Sequence, residues 1–194
     1  MTHICKSLFT FTAGAPTGHS KKRHKQSRTN SMDERKSSRM YFIGKKEDLI
    51  QAKRTSVTLD GRDILIVYHQ RVFYAMDLQC YHAGSTLLNG DIEEISNKLC
   101  LVCPKHKYKI TLAEGEGLYR VSNLAEKVPT RLWYSKGVKQ RVHKVTEVDE
   151  DIFVTLSDCP GWIESDYYQT EKGREELSKA QELDSEPDPD ADED

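Results

Sequence analysis

The sequence predicts an all-β domain. Short runs of β-branched and apolar residues recur at a spacing of roughly ten residues, and glycines, prolines and an Asp-Gly pair separate these runs. No pattern with helical periodicity extends beyond two turns before residue 170. Short strands separated by turn residues, without intervening helices, are typical of stacked antiparallel sheets.

The predicted strands follow one another along the chain. The first is 41–43, and in the next Val57 and Leu59 alternate with polar residues before Asp60-Gly61, a pair typical of a two-residue hairpin turn. Segment 64–68 is apolar on both faces, so we expect a central strand that is buried on both sides. The further predicted strands are 72–76, 99–102, 108–112, 142–148 and 152–156.

Charge divides the chain into three parts. Residues 1–40 carry nine Lys and Arg against two acids, and residues 169–194 carry eleven acids against three bases, while the whole chain has a net charge of -2. We expect a basic, disordered N-terminal tail over 1–40, the folded domain over 41–160 and an acidic, mostly disordered C-terminal tail over 161–194. Within that tail, the polar composition of 171–183 predicts a frayed helix at most.

Composition argues against two classes of protein. The longest apolar run, 64–68, is far shorter than the ~20 residues of a membrane-spanning helix. A nucleic-acid binder would carry its positive charge in the folded part, whereas here the charge lies in a tail. The sequence therefore predicts a soluble monomer that binds neither membranes nor nucleic acid.

Cysteine usage indicates a reducing compartment. The chain has five cysteines, an odd number, and no secretory signal is recognisable, so we expect free thiols or metal ligands. The first 32 residues contain no acid, which partly suits a mitochondrial transit peptide, but they show no clean amphipathic repeat. We expect an intracellular protein, with the cytoplasm favoured over the mitochondrion.

Two short segments each combine a cysteine with a histidine where a predicted strand gives way to a loop. One residue separates Cys80 from His82, and two separate Cys103 from His106. Thiolate and imidazole ligands suit zinc or an iron-sulfur cluster. Structural zinc sites usually pair like with like, whereas each segment here is mixed. A mixed pair suits a two-iron cluster with the cysteines on one iron and the histidines on the other. A structural zinc site with the same four ligands is the alternative.

Segments CYHAGSTLLNG (80–90) and CPKHKYKITLAEG (103–115) resemble the two cluster-binding loops of Rieske domains. The resemblance extends over about 41–160 and is strongest to small, soluble, ferredoxin-like members of that family from animals. It implies three stacked antiparallel sheets and one 2Fe-2S cluster at the tip of the two loops. It also implies that Cys80, His82, Cys103 and His106 are the ligands, with the histidine iron nearest to solvent.

Three residues near these ligands suit such loops. Gly84 and Gly90 permit positive φ angles and a close approach of backbone N–H groups to bridging sulfides. Pro104 stiffens the second loop beside Cys103. Hydrogen bonds to the sulfurs tune the reduction potential of a cluster, so the loop backbone matters for function.

The chain departs from the family pattern at four positions. Respiratory Rieske proteins carry a disulfide between cysteines at the positions of Ser85 and Lys105, which this chain cannot form. Tyr108 stands where those proteins have a serine hydroxyl, and Lys107 stands where most members have glycine. We expect a potential in the lower part of the Rieske range of about -150 to +300 mV.

Cys100, His69 and His143 are interpreted as residues without a role in metal binding. Cys100 lies in an apolar run, so we interpret it as a buried core thiol and not as a redox partner of Cys103. His69 and His143 are interpreted as a turn histidine and a strand-surface histidine.

Four lysines crowd the second loop and form a predicted basic collar: Lys98, Lys105, Lys107 and Lys109. We expect this collar to steer an acidic redox partner. The acidic C-terminal tail is expected to fold back onto the same collar.

These observations predict a one-electron carrier without a substrate site of its own. The expected donor is a flavoprotein reductase, and the acceptor is an oxygenase or another unknown protein. An oxygenase would itself need a mononuclear iron with two histidines and a carboxylate. Only His143 follows the two loops, so that iron would have to belong to another chain. A zinc-stapled interaction domain is the third hypothesis.

Overall fold

The computed structural model describes residues 39–123 and 130–184 of the chain. These residues form eleven strands in two antiparallel sheets, which confirms the all-β prediction. The strands are β1 Met40–Lys45, β2 Arg54–Leu59, β3 Arg62–His69, β4 Val72–Asp77, β5 Asp91–Ile95, β6 Lys98–Val102, β7 Lys109–Thr111, β8 Glu116–Asn123, β9 Thr130–Val138, β10 Val142–Val148 and β11 Asp151–Thr155. The helices are α1 Lys46–Ala52, a 3₁₀ helix at Glu164–Gln169 and α2 Glu171–Asp184. None of these helices is long and apolar enough to cross a membrane.

The resemblance implied three sheets, but the strands pair into two. The first sheet has the order β1-β11-β10-β4-β3-β2, and the second has the order β5-β6-β7-β8-β9. Strand β10 is the reason for the difference. It pairs with β11 from Lys144 to Val148 and with β4 at Val142 and His143, so it joins two groups of strands into one six-stranded sheet.

Strand β3 is buried on both faces, as predicted for the apolar run 64–68. It lies between β2 and β4. Leu65 and Val67 belong to one hydrophobic cluster and Ile64 and Ile66 to another, on the alternate sides that successive strand residues face. The cluster that contains Leu65 also contains the candidate ligands Cys80 and Cys103, so the core of the domain supports the candidate site.

Two hairpin turns have similar backbone angles, but only one of them contains residues typical of such a turn. Asp60 and Gly61 have φ angles of 47° and 74°, the two positive angles of a type I′ turn, which confirms that prediction. Gln70 and Arg71 adopt 48° and 64° without a glycine or asparagine. Antiparallel pairing of β3 with β4 up to the turn imposes this geometry on residues that do not themselves favour it.

The segment after residue 160 differs from its prediction as a mostly disordered tail. Residues 164–184, here called the C-terminal strap, form the 3₁₀ helix and α2. Asp166 bonds to Arg62 and Arg141, and the side chain of Leu177 lies against Gly84. These partners are distant in sequence, so local composition could not reveal them. The predictions for 1–38 and 185–194 concern residues outside the described part of the chain.

Candidate metal centre

The two candidate loops meet at one end of the domain. The first follows β4, and the second joins β6 to β7. Cys80 and Cys103 are each 1% exposed, whereas His82 and His106 are exposed. The two imidazole rings lie edge to face with centroids 5.0 Å apart. The structure therefore places the four predicted residues on two neighbouring loops, as a buried sulfur pair and an exposed imidazole pair.

The backbone of the two loops is built in the same way. In each loop the cysteine carbonyl accepts a hydrogen bond from the N–H four residues later, at 2.9 Å in both. In each, the cysteine N–H donates to the carbonyl five residues later, at 2.9 Å for Cys80 and 2.8 Å for Cys103. This repeat holds the two thiols in equivalent local frames.

The fourth residue after each cysteine has a left-handed conformation. Gly84 has a φ of 67°, as predicted, and Lys107 has a φ of 57° although it carries a side chain. The left-handed region costs a non-glycine residue roughly 1–2 kcal/mol, so the loop imposes this conformation on Lys107. The prediction of positive φ at Gly90 is wrong. Gly90 instead permits close approach, because a Cβ there would lie 2.5 Å from the carbonyl oxygen of Val102.

Burial dominates the electrostatics of the Cys80 thiol. It raises the pKa of Cys80 to about 12, and the nearby Cys103 raises that pKa as well. The backbone N–H groups of His82 and Ala83 hydrogen-bond to the Cys80 sulfur and lower the pKa, but they do not offset burial. A bound metal cation supplies the missing positive charge and deprotonates a coordinating thiol. A buried thiol that receives two N–H groups and lies beside a second buried thiol is therefore chemically suited to hold metal.

The exposed imidazole of His82 has a defined setting. It stacks on the ring of Tyr108 with centroids 3.9 Å apart, and Lys136 Nζ lies over the same ring at 5.0 Å from its centroid. Partial burial lowers the pKa of His82, and the positive charges of His106 and Lys136 lower it further. A neutral imidazole is the form that binds a metal, so this setting favours the ligating state.

The four residues do not form the usual mononuclear arrangement. Across residues 39–123 and 130–184, no three Cys, His, Asp or Glu side chains are grouped closely enough to hold one metal ion. A tetrahedral zinc ion needs four ligands at about 2.0–2.3 Å from one point. Separate sulfur and imidazole pairs fit a group that contains two metals, as in a Rieske centre.

Comparison with known proteins gives the same family. Residues 41–159 match the model of the soluble Rieske-type ferredoxin family. A human Rieske domain-containing protein is 44% identical over 128 residues, which cover 66% of this chain and 82% of the human protein. This chain belongs to the soluble Rieske-type ferredoxin family. Rieske-type domains generally bind a 2Fe-2S cluster.

Two solved structures are also similar to this chain. The ferredoxin of carbazole 1,9a-dioxygenase from Nocardioides aromaticivorans IC177 is 20% identical, with 61% of this chain and 98% of that chain covered and a TM-score of 0.45. The terminal oxygenase of carbazole 1,9a-dioxygenase from Novosphingobium sp. KA1 is 19% identical, with 64% and 31% covered and a TM-score of 0.44.

Cys100 is a buried core thiol, as predicted. It lies in a separate hydrophobic cluster with Ile95 and Leu118, whereas Cys103 lies in the cluster beneath the loops. Burial raises the pKa of Cys100 to about 11. Because Cys100 packs in a different cluster from Cys103 and its raised pKa keeps the thiol protonated, it is unsuited to redox pairing with Cys103.

The prediction of a strand-surface position for His143 is wrong. The side chain is buried, its Nδ1 accepts a hydrogen bond from Ser157 N–H at 3.1 Å, and its Nε2 lies 3.2 Å from Asp77 Oδ1. Burial alone would raise the pKa of Asp77, but hydrogen bonds from His143 and Arg62 outweigh burial and hold it below its ordinary value. His69 is half-buried at the end of β3, directly before the turn.

The predicted basic collar is only partly correct. Lys98 pairs with Glu116 at 2.5 Å and Lys109 pairs with Glu93 at 2.8 Å, so carboxylates offset two of the four charges. Lys107 lines a shallow groove of about 650 Å³ beside His106. Lys136 lines the same groove and was missed, because β9 had not been predicted. Strand β9 lacks a clear alternation of apolar and polar residues, because Leu132 and Tyr134 are apolar and exposed.

Proposed function

We propose that this ferredoxin is a one-electron carrier that holds one 2Fe-2S cluster. Cys80 and Cys103 bind one iron, and His82 and His106 bind the other. The observation that carries this proposal is the separation of two buried thiols from two exposed, adjacent imidazoles. When bound, the cluster supplies a one-electron redox couple whose potential depends on charge, hydrogen bonds and exposure.

The residues of this chain have distinct roles in such a carrier. The buried thiols keep the sulfur side of the site away from water, and the N–H groups of His82 and Ala83 stabilise negative charge on the Cys80 sulfur. The exposed imidazoles form the edge that a partner reaches, so electrons enter and leave there. Lys107 and Lys136 beside this edge favour a partner with acidic residues.

We expect a flavoprotein reductase as donor and an acceptor that is still unknown. The ferredoxin itself performs no bond chemistry in this proposal. An oxygenase reaction would need a mononuclear iron with two histidines and a carboxylate. The described residues outside the loops include two histidines, His69 and His143, and both ring nitrogens of His143 are already engaged, so these two do not supply a pair of free histidine ligands. A catalytic iron would therefore belong to another chain.

The potential is expected in the lower part of the range of about -150 to +300 mV. Ser85 and Lys105 exclude the disulfide of the high-potential members, and Tyr108 replaces their serine hydroxyl. Lys107 and Lys136 oppose this effect by stabilising a reduced, more negative site. Their side chains are exposed, so salt screens them beyond about 8–10 Å.

The test is metal analysis of protein purified under anaerobic, reducing conditions. We expect about two irons and two acid-labile sulfides per chain, an EPR signal only after reduction, and uptake of one electron in a titration. His82→Ala should abolish that signal. The structural zinc site is the second candidate, and a colourless wild-type protein with one zinc would establish it and overturn the carrier.

A further inference from the structure

Gln140 is a fully buried polar residue that lies between β9 and β10. Its Nε2 donates to the carbonyls of Asp77 and Gln79 at 2.9 and 2.8 Å, and its Oε1 accepts from the N–H of Tyr81 at 3.0 Å. Only this orientation of the amide directs both donors at carbonyls and the acceptor at an N–H. The side chain therefore bonds the backbone on both sides of Cys80.

The two peptide groups that flank Cys80 have all four polar atoms bonded. Ser85 and Gly84 bond the N–H and carbonyl of Cys80 itself from within the loop. Gln140 bonds the other two atoms, the carbonyl of Gln79 and the N–H of Tyr81. The orientation of the Cys80 side chain thus depends on a residue sixty positions away.

The two loops differ in how their ends are closed. The second loop is closed by strand pairing, since β6 and β7 pair directly up to Val102 and Lys109. The first loop is closed by one isolated bridge between Gln79 and Thr86. At the first loop, Gln140 supplies hydrogen bonds of the kind that the pairing of β6 with β7 supplies at the second loop. This asymmetry explains why a buried amide stands beside one cysteine.

Gln140 is itself fixed to the strand that leaves the second loop. The N–H groups of Lys139 and Gln140 both donate to the carbonyl of Gly115, at 2.9 and 3.0 Å. Gly115 has a φ of 72°, and a Cβ there would clash with the carbonyl oxygen of Gln140. The N–H of Gly115 in turn bonds Thr111, the last residue of β7. A continuous set of bonds therefore joins the second loop to Cys80.

We propose that Gln140 is a positioning residue that sets Cys80 relative to Cys103. The inference rests on the proposed function, because a group shared by two loops requires a constant spacing between its ligands. Outer residues that orient metal ligands typically change metal affinity roughly 10–100-fold when they are replaced. Gln140 is shielded from solvent, and its side-chain hydrogen bonds go to the backbone that carries one ligand.

The test compares three variants of the full chain, purified with the cluster. Gln140→Leu removes all three hydrogen bonds, and Gln140→Glu keeps the size and the acceptor for Tyr81 N–H but turns an oxygen toward two carbonyls. Ser165→Ala is the matched control. Its buried hydroxyl donates to Asp77 Oδ2 and accepts from the N–H of Arg141 at 2.8 Å, so the variant also loses buried bonds, but none of them to the backbone of Gln79, Cys80 or Tyr81.

The readouts are the rate of cluster loss to an iron chelator, the EPR g-values of the reduced protein and the thermal unfolding midpoint. We expect Gln140→Leu to lose the cluster roughly 10–100 times faster and to shift the g-values. Gln140→Glu should change in the same direction. Ser165→Ala should lower the unfolding midpoint while its g-values stay at those of the wild type.

Each contrary result has a definite meaning. Wild-type g-values and loss rates in both Gln140 variants would overturn the positioning role. Equal changes in Ser165→Ala, in proportion to lost stability, would also overturn it and assign Gln140 a structural role only. If Gln140→Leu does not fold, the isosteric Gln140→Glu decides. A wild-type protein without iron and sulfide would overturn the proposed function first, so the two failures are distinguishable.

Discussion

The imidazole of His82 lies flat against the phenol ring of Tyr108, with ring centroids 3.9 Å apart and planes inclined by 17°. The ammonium group of Lys136 lies over the same phenol ring. The stack therefore holds a positive charge beside the imidazole that we propose as an iron ligand. The ammonium group of Lys98, by contrast, forms an ion pair with the carboxylate of Glu116 at 2.5 Å.

Replacing Lys136 should slow reaction with an anionic oxidant. We expect Lys136→Gln to reduce the rate at which ferricyanide oxidises the reduced protein about two- to sixfold at low salt, because unit charges 4–10 Å apart interact by about 0.4–1 kcal/mol in water. Stopped-flow absorbance measures this rate. Lys98→Gln is the control and should have little effect. A slowing that persists at 1 M salt, where the screening length is about 3 Å, would contradict the electrostatic explanation.

Replacing Gly84 should cost more stability than replacing a glycine of similar φ in open space. Gly61 has a φ of 74° with nothing within 4 Å of an added Cβ, whereas at Gly84 the added Cβ would lie 2.6 Å from the ring of Tyr168 and would also clash with Leu177. We expect Gly61→Ala to lower the unfolding free energy by about 1–2 kcal/mol and Gly84→Ala by a further ~1–3 kcal/mol. Urea unfolding measures both. Equal costs would mean that the C-terminal strap does not pack on the first loop.

Asp166 should stabilise the protein above pH 4 and lose that effect in acid. Burial alone would raise the pKa of Asp166, but hydrogen bonds from Arg141 and Arg62 hold it well below its ordinary value of 3.8. A group with a lowered folded pKa contributes stability that is present above its unfolded pKa and is lost as pH falls through the folded pKa.

We therefore expect Asp166→Asn to lower the unfolding free energy by about 2 kcal/mol at pH 7. The difference in unfolding free energy between Asp166→Asn and the wild type should be unchanged down to about pH 5 and should shrink below about pH 4. Urea unfolding at a series of pH values checks this, with Asp151→Asn as control for an exposed pair with Lys45. A difference in unfolding free energy that grows as the pH falls would contradict this prediction.

The buried thiols should differ in function although they lie three residues apart. Cys100 packs with Ile95 and Leu118, away from the loops. We expect Cys100→Ala to keep two irons and two sulfides and to lower the unfolding free energy by about 1 kcal/mol. Cys103→Ala should lose the cluster. Iron and sulfide analysis of both variants decides, and loss of iron from Cys100→Ala would contradict the assignment of the thiols.

Local sequence patterns were sufficient for much of the fold. The apolar run in β3 predicted a two-sided buried strand, and Asp60-Gly61 predicted a type I′ turn, because both signals depend on neighbouring residues. Strands β5, β8 and β9 were missed. The exposed face of β8 and β9 carries apolar residues such as Tyr119 and Leu132, so the alternation between apolar and polar residues is lost there.

The sequence predicted which four residues lie on the two loops of the candidate site, but not what surrounds them. Cys80 and Cys103 stand out because their spacing to histidine is local. Gln140, Lys136 and Asp166 act on partners that are distant along the chain, and nothing in their own sequence neighbourhood indicates those partners. The prediction that His143 lies on the surface failed for the same reason, because its partner Asp77 lies 66 positions away.

Pulsed EPR of the reduced protein detects nitrogen nuclei bound to iron and is the sharpest test of the proposed cluster ligation. We predict two imidazole nitrogens with separate couplings in the wild type, one lost in His82→Cys and the other lost in His106→Cys, since a cysteine keeps a side-chain ligand for the cluster at each position. Two couplings that disappear one at a time would establish the histidines as ligands of one iron. A reduced cluster that shows no nitrogen coupling would contradict the assignment of both histidines.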